Sequence, residues 1–443
     1  MPREWSVRDL LPDDASAVIG GPLGRRAAPR ERSLTRLLPF VVALLLLPMS
    51  AAVLRQGHCM TNGWNGDDQF WRGCFSDLPA QYQIAGLERG FSGWLAGDIR
   101  LDQMPLTSGL MAALGGLVPD SGWLDATRWY VVIWTVLIAL CLAVAVWCVA
   151  LIRPQRIDLA VQLALSPIHV VAALISPDLV VVTLVLTAML ADARRRPILA
   201  GVLLGLALLG HAWVGLVAIA LLVASRRRDR VPEARRTVVT AVVIAGGIVV
   251  LLVLASPHIV TGPLTAWWSE KPGYGSVLLI PELAGHPLPD RVAPLFALAG
   301  WVGAIWAAVV MARRAWRPAT WAQVAAFSVP VLALTGASVP VQAALWVLPL
   351  AILAGVSWRT HLGFVAVEAV HASALWLHIG AASDPDKGLP AAWYAVVVLG
   401  RAIAWCFLLW SVWYTPVDNP VDPAPRPQPL PDREPRPQQP ATL

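Results

Sequence analysis

The sequence predicts an all-α, polytopic integral membrane protein with about twelve transmembrane helices and a large first loop on its outer face. Three observations lead to that fold class. Of 443 residues, 57% are apolar and only 14% are charged, whereas soluble domains carry roughly 25% charged residues. The apolar residues recur in runs long enough to cross a hydrocarbon core about 30 Å thick, for which a helix needs roughly 17–25 residues. The basic residues that punctuate those runs sort to one side of a single topological map.

Residues 1–36 form an Arg/Pro/Gly-rich leader, expected to be disordered and cytoplasmic. It is long for a signal-peptide n-region and no A-x-A site follows, so the run Leu37–Leu54 reads as a retained signal-anchor helix. Further spans are expected at Arg128–Ile152, Ile157–Leu174, Leu179–Ala191, Pro197–Ala224, Thr237–Ala255, Val292–Ala312, Ala319–Gly336, Val341–Val356, His361–Gly380 and Pro390–Tyr414. Arg, Pro or Gly bound most of them, as helix ends require. The run Pro197–Ala224 lies between Arg194-Arg195-Arg196 and Arg226-Arg227-Arg228. A single span would export one triple-Arg cluster, so two short helices folding back near Gly210-His211 are expected instead. The membrane domain is therefore read as 37–414. Residues 415–443 make a Pro-rich cytoplasmic tail of polyproline character that cannot build a core.

On this map 25 of the 34 basic residues lie inside, eight lie outside and Arg401 falls within a span. The outer face carries 14 acids. The net charge of +6 is therefore a signature of topology rather than of nucleic-acid binding. Both termini are placed in the cytoplasm of a multi-pass plasma-membrane protein. Glu368 and Arg401 are the main charges within spans, either as pathway residues or as a helix–helix pair.

Two outer loops are long, 55–127 and 256–291, and long loops in a compact domain usually carry function. The first contains expected surface helices at Leu78–Gly90 and Pro105–Leu117. Asp77, before Leu78-Pro79, reads either as a helix cap or as a carboxylate held at the membrane surface. Cys59 and Cys74 share this loop and are a candidate disulfide. Asp178 in Ser176-Pro177-Asp178, His211 at the hairpin tip, Lys271 and Tyr274 all fall on the same outer face. Interrupted helices with polar tips are how membrane proteins put polar groups into a cavity. The sequence holds no CxxC, HExxH, Walker or G-x-S-x-G motif, so metal, nucleotide and serine-hydrolase chemistry has no specific support.

Four stretches resemble the actinobacterial branch of glycosyltransferase family 87, polyprenyl-phosphate-mannose-dependent enzymes of the GT-C superfamily. Cys74-Phe75-Ser76-Asp77-Leu78-Pro79, with Tyr82 and Gly86, is similar to a C-Y-S-D-I-P segment of the first outer loop. Asp178, with Arg195-Arg196-Pro197-Ile198-Leu199-Ala200-Gly201, resembles a W-D-L segment followed by an R-R-P-x-L-A-G hairpin. Tyr274-Gly275-Ser276-Val277 is similar to an aromatic-Gly-Ser loop, and Gln342 through Leu350 to P-Q-Y-x-L-W-L-L-P-L. The likeness runs in order from the first span to about Gly380. It departs where Gln103-Met104-Pro105 stands for E-Y-P and His211 for a hairpin Lys. Gly273 stands for an acid, Lys271 is shifted by one position, and Val341 and Ala343 replace Pro and Tyr.

The resemblance implies a GT-C-like membrane enzyme that moves a sugar, mannose by analogy, from polyprenyl phosphate to an envelope glycan or glycolipid outside the cytoplasm. Asp77 would be the base. Lys271, Tyr274, Ser276 and Arg72 would bind the donor phosphate, and Asp178, His211, Gln103 and Gln342 would shape or support the acceptor site. No metal or other cofactor is expected, because side chains can neutralise a monophosphate leaving group. Membrane lipids are the other expected partner. Two other classes fit the same composition: a flippase for a lipid-linked sugar, and an inactive envelope-assembly subunit descended from the enzyme.

Overall fold

In lipid an apolar chain must satisfy its N–H and C=O groups within each segment, which a helix does. Among the described residues of the structure, a computed structural model covering 34–314 and 318–415, the chain forms helices and no strand. The expected leader up to residue 33 and the tail from residue 416 lie outside the described residues. The helices are α1 (Leu34–Ala43), α2 (Leu46–Asn62), α3 (Asp68–Trp71), α4 (Asp77–Ala85), α5 (Gly90–Ala96), α6 (Pro105–Gly115) and α7 (Trp123–Ile152). Then come α8 (Ile157–Ala164), α9 (Ile168–Ala172), α10 (Asp178–Ala193), α11 (Pro197–Leu208), α12 (Val214–Ser225) and α13 (Val231–Ala255). The last are α14 (His258–Trp268), α15 (Ile280–Leu283), α16 (Val292–Arg314), α17 (Trp321–Leu334), α18 (Ala343–Ala354), α19 (Trp358–Gly380) and α20 (Ala391–Tyr414).

Among the described residues, six stretches are long and apolar enough to cross a membrane: Leu37–Asn62, which spans most of α1 and all of α2, and α7, α13, α16, α19 and α20. The other expected spans are shorter helices. The run expected as one span over Ile157–Leu174 is two helices, α8 and α9, because Ser166-Pro167 interrupts it and Pro cannot donate to the ladder. α11, α12 and α18 have 12 residues each, which is about 18 Å and little more than half of a hydrocarbon core.

The α11–α12 pair is the expected hairpin, and its two ends are tied together. Arg195 pairs with Glu233 at 2.9 Å, and Arg230 pairs with Asp192 at 3.2 Å and with Glu233 at 2.6 Å. The chain therefore leaves and re-enters one face of the molecule. Arg153 donates to the Leu353 carbonyl and Arg228 to that of Pro318, placing the ends of α7, α18 and α12 on the same arginine-bearing face. The hairpin tip and the start of α10 lie at the opposite end.

Packing explains the short helices. In α18 every residue but Trp346 is buried, and it lies against α8, α9, α10, α17 and α19. α13 has the reverse character: its apolar residues, Val242, Val243, Leu251 and Leu254 among them, face outward. It holds to the body chiefly through α11, where Gly201 and Gly205 let the backbones close. A Cβ on Gly205 would stand 2.7 Å from the Ala241 carbonyl oxygen, and one on Gly201 would stand 2.5 Å from that of Thr237. This is the small-xxx-small contact of membrane helices.

Candidate functional site

Asp77 is positioned by its neighbour. Ser76, not Asp77, caps α4: its hydroxyl accepts from the Leu78 N–H and donates to the Leu174 carbonyl at 2.6 Å. The Asp77 N–H donates to the Ile175 carbonyl at 2.9 Å. These two bonds dock the first loop on the strap that leads directly into Ser176-Pro177-Asp178. Asp77 and Asp178 are thus brought together as the first residues of α4 and α10, with both carboxylates at helix N-termini. The surface helix expected over Leu78–Gly90 stops at Ala85, because Gly86 turns into the left-handed region at φ 68°. Cys59 and Cys74 are disulfide-bonded, which ties this loop to the end of α2.

Around the two acids lies a cavity of about 400 Å³. The Leu106 N–H donates to the Leu209 carbonyl at 2.8 Å, which brings Asp102 and Gln103 to the hairpin tip. His211, from that tip, packs its ring against Trp346 with centroids 4.3 Å apart. The Trp346 indole N–H donates to Asp178 Oδ2 at 3.0 Å, so the one residue of α18 that is not buried holds the second acid. Gln342 sits at the start of α18, with its amide against Asp77. Trp213, Trp267, Trp301 and Trp346 supply indole walls, and Glu270 adds a further carboxylate.

The electrostatics are one-sided. Asp77, Asp102, Asp178 and Glu270 line the cavity, and no Lys or Arg does among the described residues. Burial, with the Asp178 carboxylate adding to it, pushes the Asp77 carboxyl up to about 7, and the Gln342 hydrogen bond pulls it partly back. Burial also raises Glu270. Three polar atoms in the lining are buried without a partner: Ser176 Oγ, Trp213 Nε1 and Gln103 Oε1. Together they offer a donor, an acceptor and a hydroxyl that can be either. Indole faces, carboxylates and unsatisfied hydrogen-bonding atoms make a surface suited to a polyhydroxylated ring. No group of three His, Cys, Asp or Glu side chains is placed to hold a metal ion among the described residues.

The sequence-derived residues divide into two sets. Asp77, Asp178, His211, Gln103 and Gln342 line the cavity, whereas Arg72, Lys271, Tyr274 and Ser276 do not. Arg72 is exposed at the end of α3, and Lys271 is exposed just beyond Glu270. The Ser276 hydroxyl is committed to the Leu278 N–H and to the Gly336 carbonyl, at 2.8 Å for the latter. Tyr274 sets its ring edge-on to His378 and Tyr394, and its carbonyl accepts from Val339 N–H. The Tyr274–Ser276 loop supports the cavity wall from behind. Gly275, at φ 79°, is required there because a Cβ would stand 2.2 Å from the Val339 carbonyl oxygen.

Glu368 and Arg401 belong to the same support. They form a fully buried pair at 2.8 Å, and Arg401 also donates to the carbonyls of Val339 and Pro340. The Trp405 indole donates to Glu368 at 2.7 Å. The two in-span charges are therefore a helix–helix pair between α19 and α20 that clamps the segment leading to Gln342. Trp213, Trp267, Trp301, Trp346, Ser176, Glu270 and Asp102 also line the cavity, and no motif in the sequence marks them as site residues. Trp346 lies within the Gln342–Leu350 stretch and Glu270 beside Lys271, but no spacing rule joins them to Asp77.

No protein-family model, curated protein or solved structure matches the chain. The fold and the site define a polytopic, all-helical membrane protein with an acidic, indole-walled cavity at the end of the helices opposite the arginine-bearing face.

Proposed function

We propose that the protein is a GT-C-like integral-membrane glycosyltransferase that moves a sugar from polyprenyl phosphate to an envelope glycan or glycolipid on the exoplasmic side. The observation that carries this reading is the Asp77–Asp178 pair in a cavity walled by four Trp residues. In the reaction the acceptor oxygen bonds to the anomeric carbon of the donor as the bond from that carbon to the phosphate oxygen breaks. Asp77 takes the acceptor proton, and polyprenyl phosphate departs. A carboxyl with a pKa near neutrality is matched to that task. Asp178, held by Trp346, and the Gln342 amide orient the pair, while His211 and Gln103 contact the acceptor. Mannose is the sugar to try first, on the resemblance alone.

The topology belongs to the same proposal. The six long spans, with α8–α9, α10, α11, α12, α17 and α18 reaching partway or crossing at a tilt, make up twelve membrane segments. The arginine-bearing face is cytoplasmic by the positive-inside tendency, which places the cavity outside and both termini inside.

The test is transfer from radiolabelled polyprenyl-phosphate sugars to envelope acceptors by the purified protein, alongside Asp77→Asn. Loss of a general base costs about 10²–10⁴-fold in rate. Full activity in Asp77→Asn, or no transfer with any donor, overturns the reading.

A further inference from the structure

No Lys or Arg among the described residues lines the cavity, yet a lipid phosphate needs a cation, and the structure contains an arginine with nothing to do. The expected first span ends at Leu54, but α2 continues to Asn62, so Arg55 lies within the stretch Leu37–Asn62 that is long and apolar enough to cross a membrane. Its Nε and Nη2 are buried and have no hydrogen-bond partner, and no acid pairs with it among the described residues. Other arginines that are buried or half-buried are compensated. Arg401 pairs with Glu368, Arg230 with Asp192, and Arg153 donates to the Leu353 carbonyl. An uncompensated guanidinium in a membrane helix is costly, and such residues ordinarily mark a ligand or pathway.

Its position indicates the ligand. Arg55 precedes Cys59 by four residues and so shares its face of α2, one turn further into the stretch. Cys59 is bonded to Cys74, with Cα atoms 6.0 Å apart, and Cys74 is three residues from Asp77. Arg55 therefore lies beneath the segment that carries Asp77. It is about 10 Å short of the end of the stretch at Asn62, a depth that long basic side chains bridge to the headgroup layer. Its helix neighbours Val53 and Leu54 are 42% and 78% exposed, so the guanidinium sits where the packed face of α2 meets its open, apolar face. A planar guanidinium matches the oxygens of a phosphate. The carboxylates of the cavity repel that anion, which keeps it outside the cavity mouth.

We propose that Arg55 anchors the phosphate of a membrane lipid at the edge of α2, beside the cavity. That this phosphate belongs to a polyprenyl-linked donor rests on the glycosyl-transfer reading. The anchor itself does not.

The experiment measures lipid binding by the full-length protein in detergent, using polyprenyl phosphate against polyprenol of equal chain length and phosphatidylglycerol against diacylglycerol. The wild type is expected to prefer polyprenyl phosphate by about tenfold or more, the range of a charge-assisted hydrogen bond. Arg55→Gln loses that preference, Arg55→Lys keeps part of it, and Lys271→Gln keeps all of it. An undiminished preference in Arg55→Gln, a preference lost in Lys271→Gln, or none in the wild type overturns the proposal. An Arg55-dependent preference confined to phosphatidylglycerol sustains the anchor and assigns it to an ordinary headgroup. Absent transfer by the wild type with Arg55-dependent binding intact refutes the glycosyltransferase and not the anchor. The lipid-free thermal midpoint of Arg55→Gln is expected to equal or exceed that of the wild type. A clear drop would mean that Arg55 has a structural partner and would overturn the proposal.

Discussion

Replacing Asp77 with Asn should stabilise the protein, and by more as the pH rises. The Asp77 carboxyl lies at about 7 in the fold against 3.8 for the free side chain. The raised value means that the folded state holds the proton more tightly than the unfolded chain. Its contribution is fully present below pH ~4 and is lost progressively as the pH climbs to about 7. At 1.36 kcal/mol per pH unit, ionisation of Asp77 costs the fold about 1.7 kcal/mol at pH 5 and about 4 kcal/mol at pH 8. Asn keeps the shape and cannot ionise, so its stability advantage should widen by about 2–3 kcal/mol over that range. The assay is the thermal unfolding midpoint, followed by tryptophan fluorescence in detergent, for both proteins across that pH range. An advantage that does not grow with pH, or an Asn variant less stable than the wild type at pH 8, would refute the claim that Asp77 is confined beside Asp178. The same placement predicts that any transfer activity rises with pH through about 7, and that Asp178→Asn moves the inflection to lower pH by removing the neighbouring charge.

Three further perturbations test the frame around the site. Glu368→Ala strands the buried Arg401 and should cost about 3–5 kcal/mol, whereas the double change Glu368→Met with Arg401→Met should recover most of it; thermal midpoints decide. Gly205→Val forces a side chain into the 2.7 Å approach to the Ala241 carbonyl and should cost about 1–3 kcal/mol by separating α11 from α13. Cys59→Ser with Cys74→Ser, which opens the link between residues 15 apart, should lower stability by about 3 kcal/mol. A reducing agent should bring the wild type down to that variant and leave the variant unchanged.

Much of the architecture can be read from local chemistry. The long apolar runs that became α7, α13, α16, α19 and α20 are determined by composition, since lipid leaves an uninterrupted apolar segment no alternative to helix. The fold-back near Gly210 follows from two triple-Arg clusters that belong on one face, and the Arg195–Glu233 and Arg230–Asp192 pairs close that face. The cap on α4 is not local in origin. Ser76 and Asp77 are both good N-cap residues, and only the carbonyl of Leu174, 98 positions away in sequence, selects Ser76 and leaves the Asp77 carboxylate to the cavity. The Tyr274–Ser276 loop has the look of a phosphate site in sequence. Its backbone and hydroxyl are instead taken up by Gly336, Val339 and Tyr394.

By itself, then, the sequence determined that the long apolar runs are helical, where the chain folds back near Gly210 and which face collects the arginines. Each of these follows from interactions within a few residues or with the solvent. The tertiary structure alone decided which polar residues meet. Asp77 faces Asp178, Trp346 holds Asp178, Arg401 finds Glu368, and Arg55 finds no partner. Such pairings join helices far apart in the chain through packing and desolvation, and those energies depend on which neighbours the fold brings close and on no local pattern of residues.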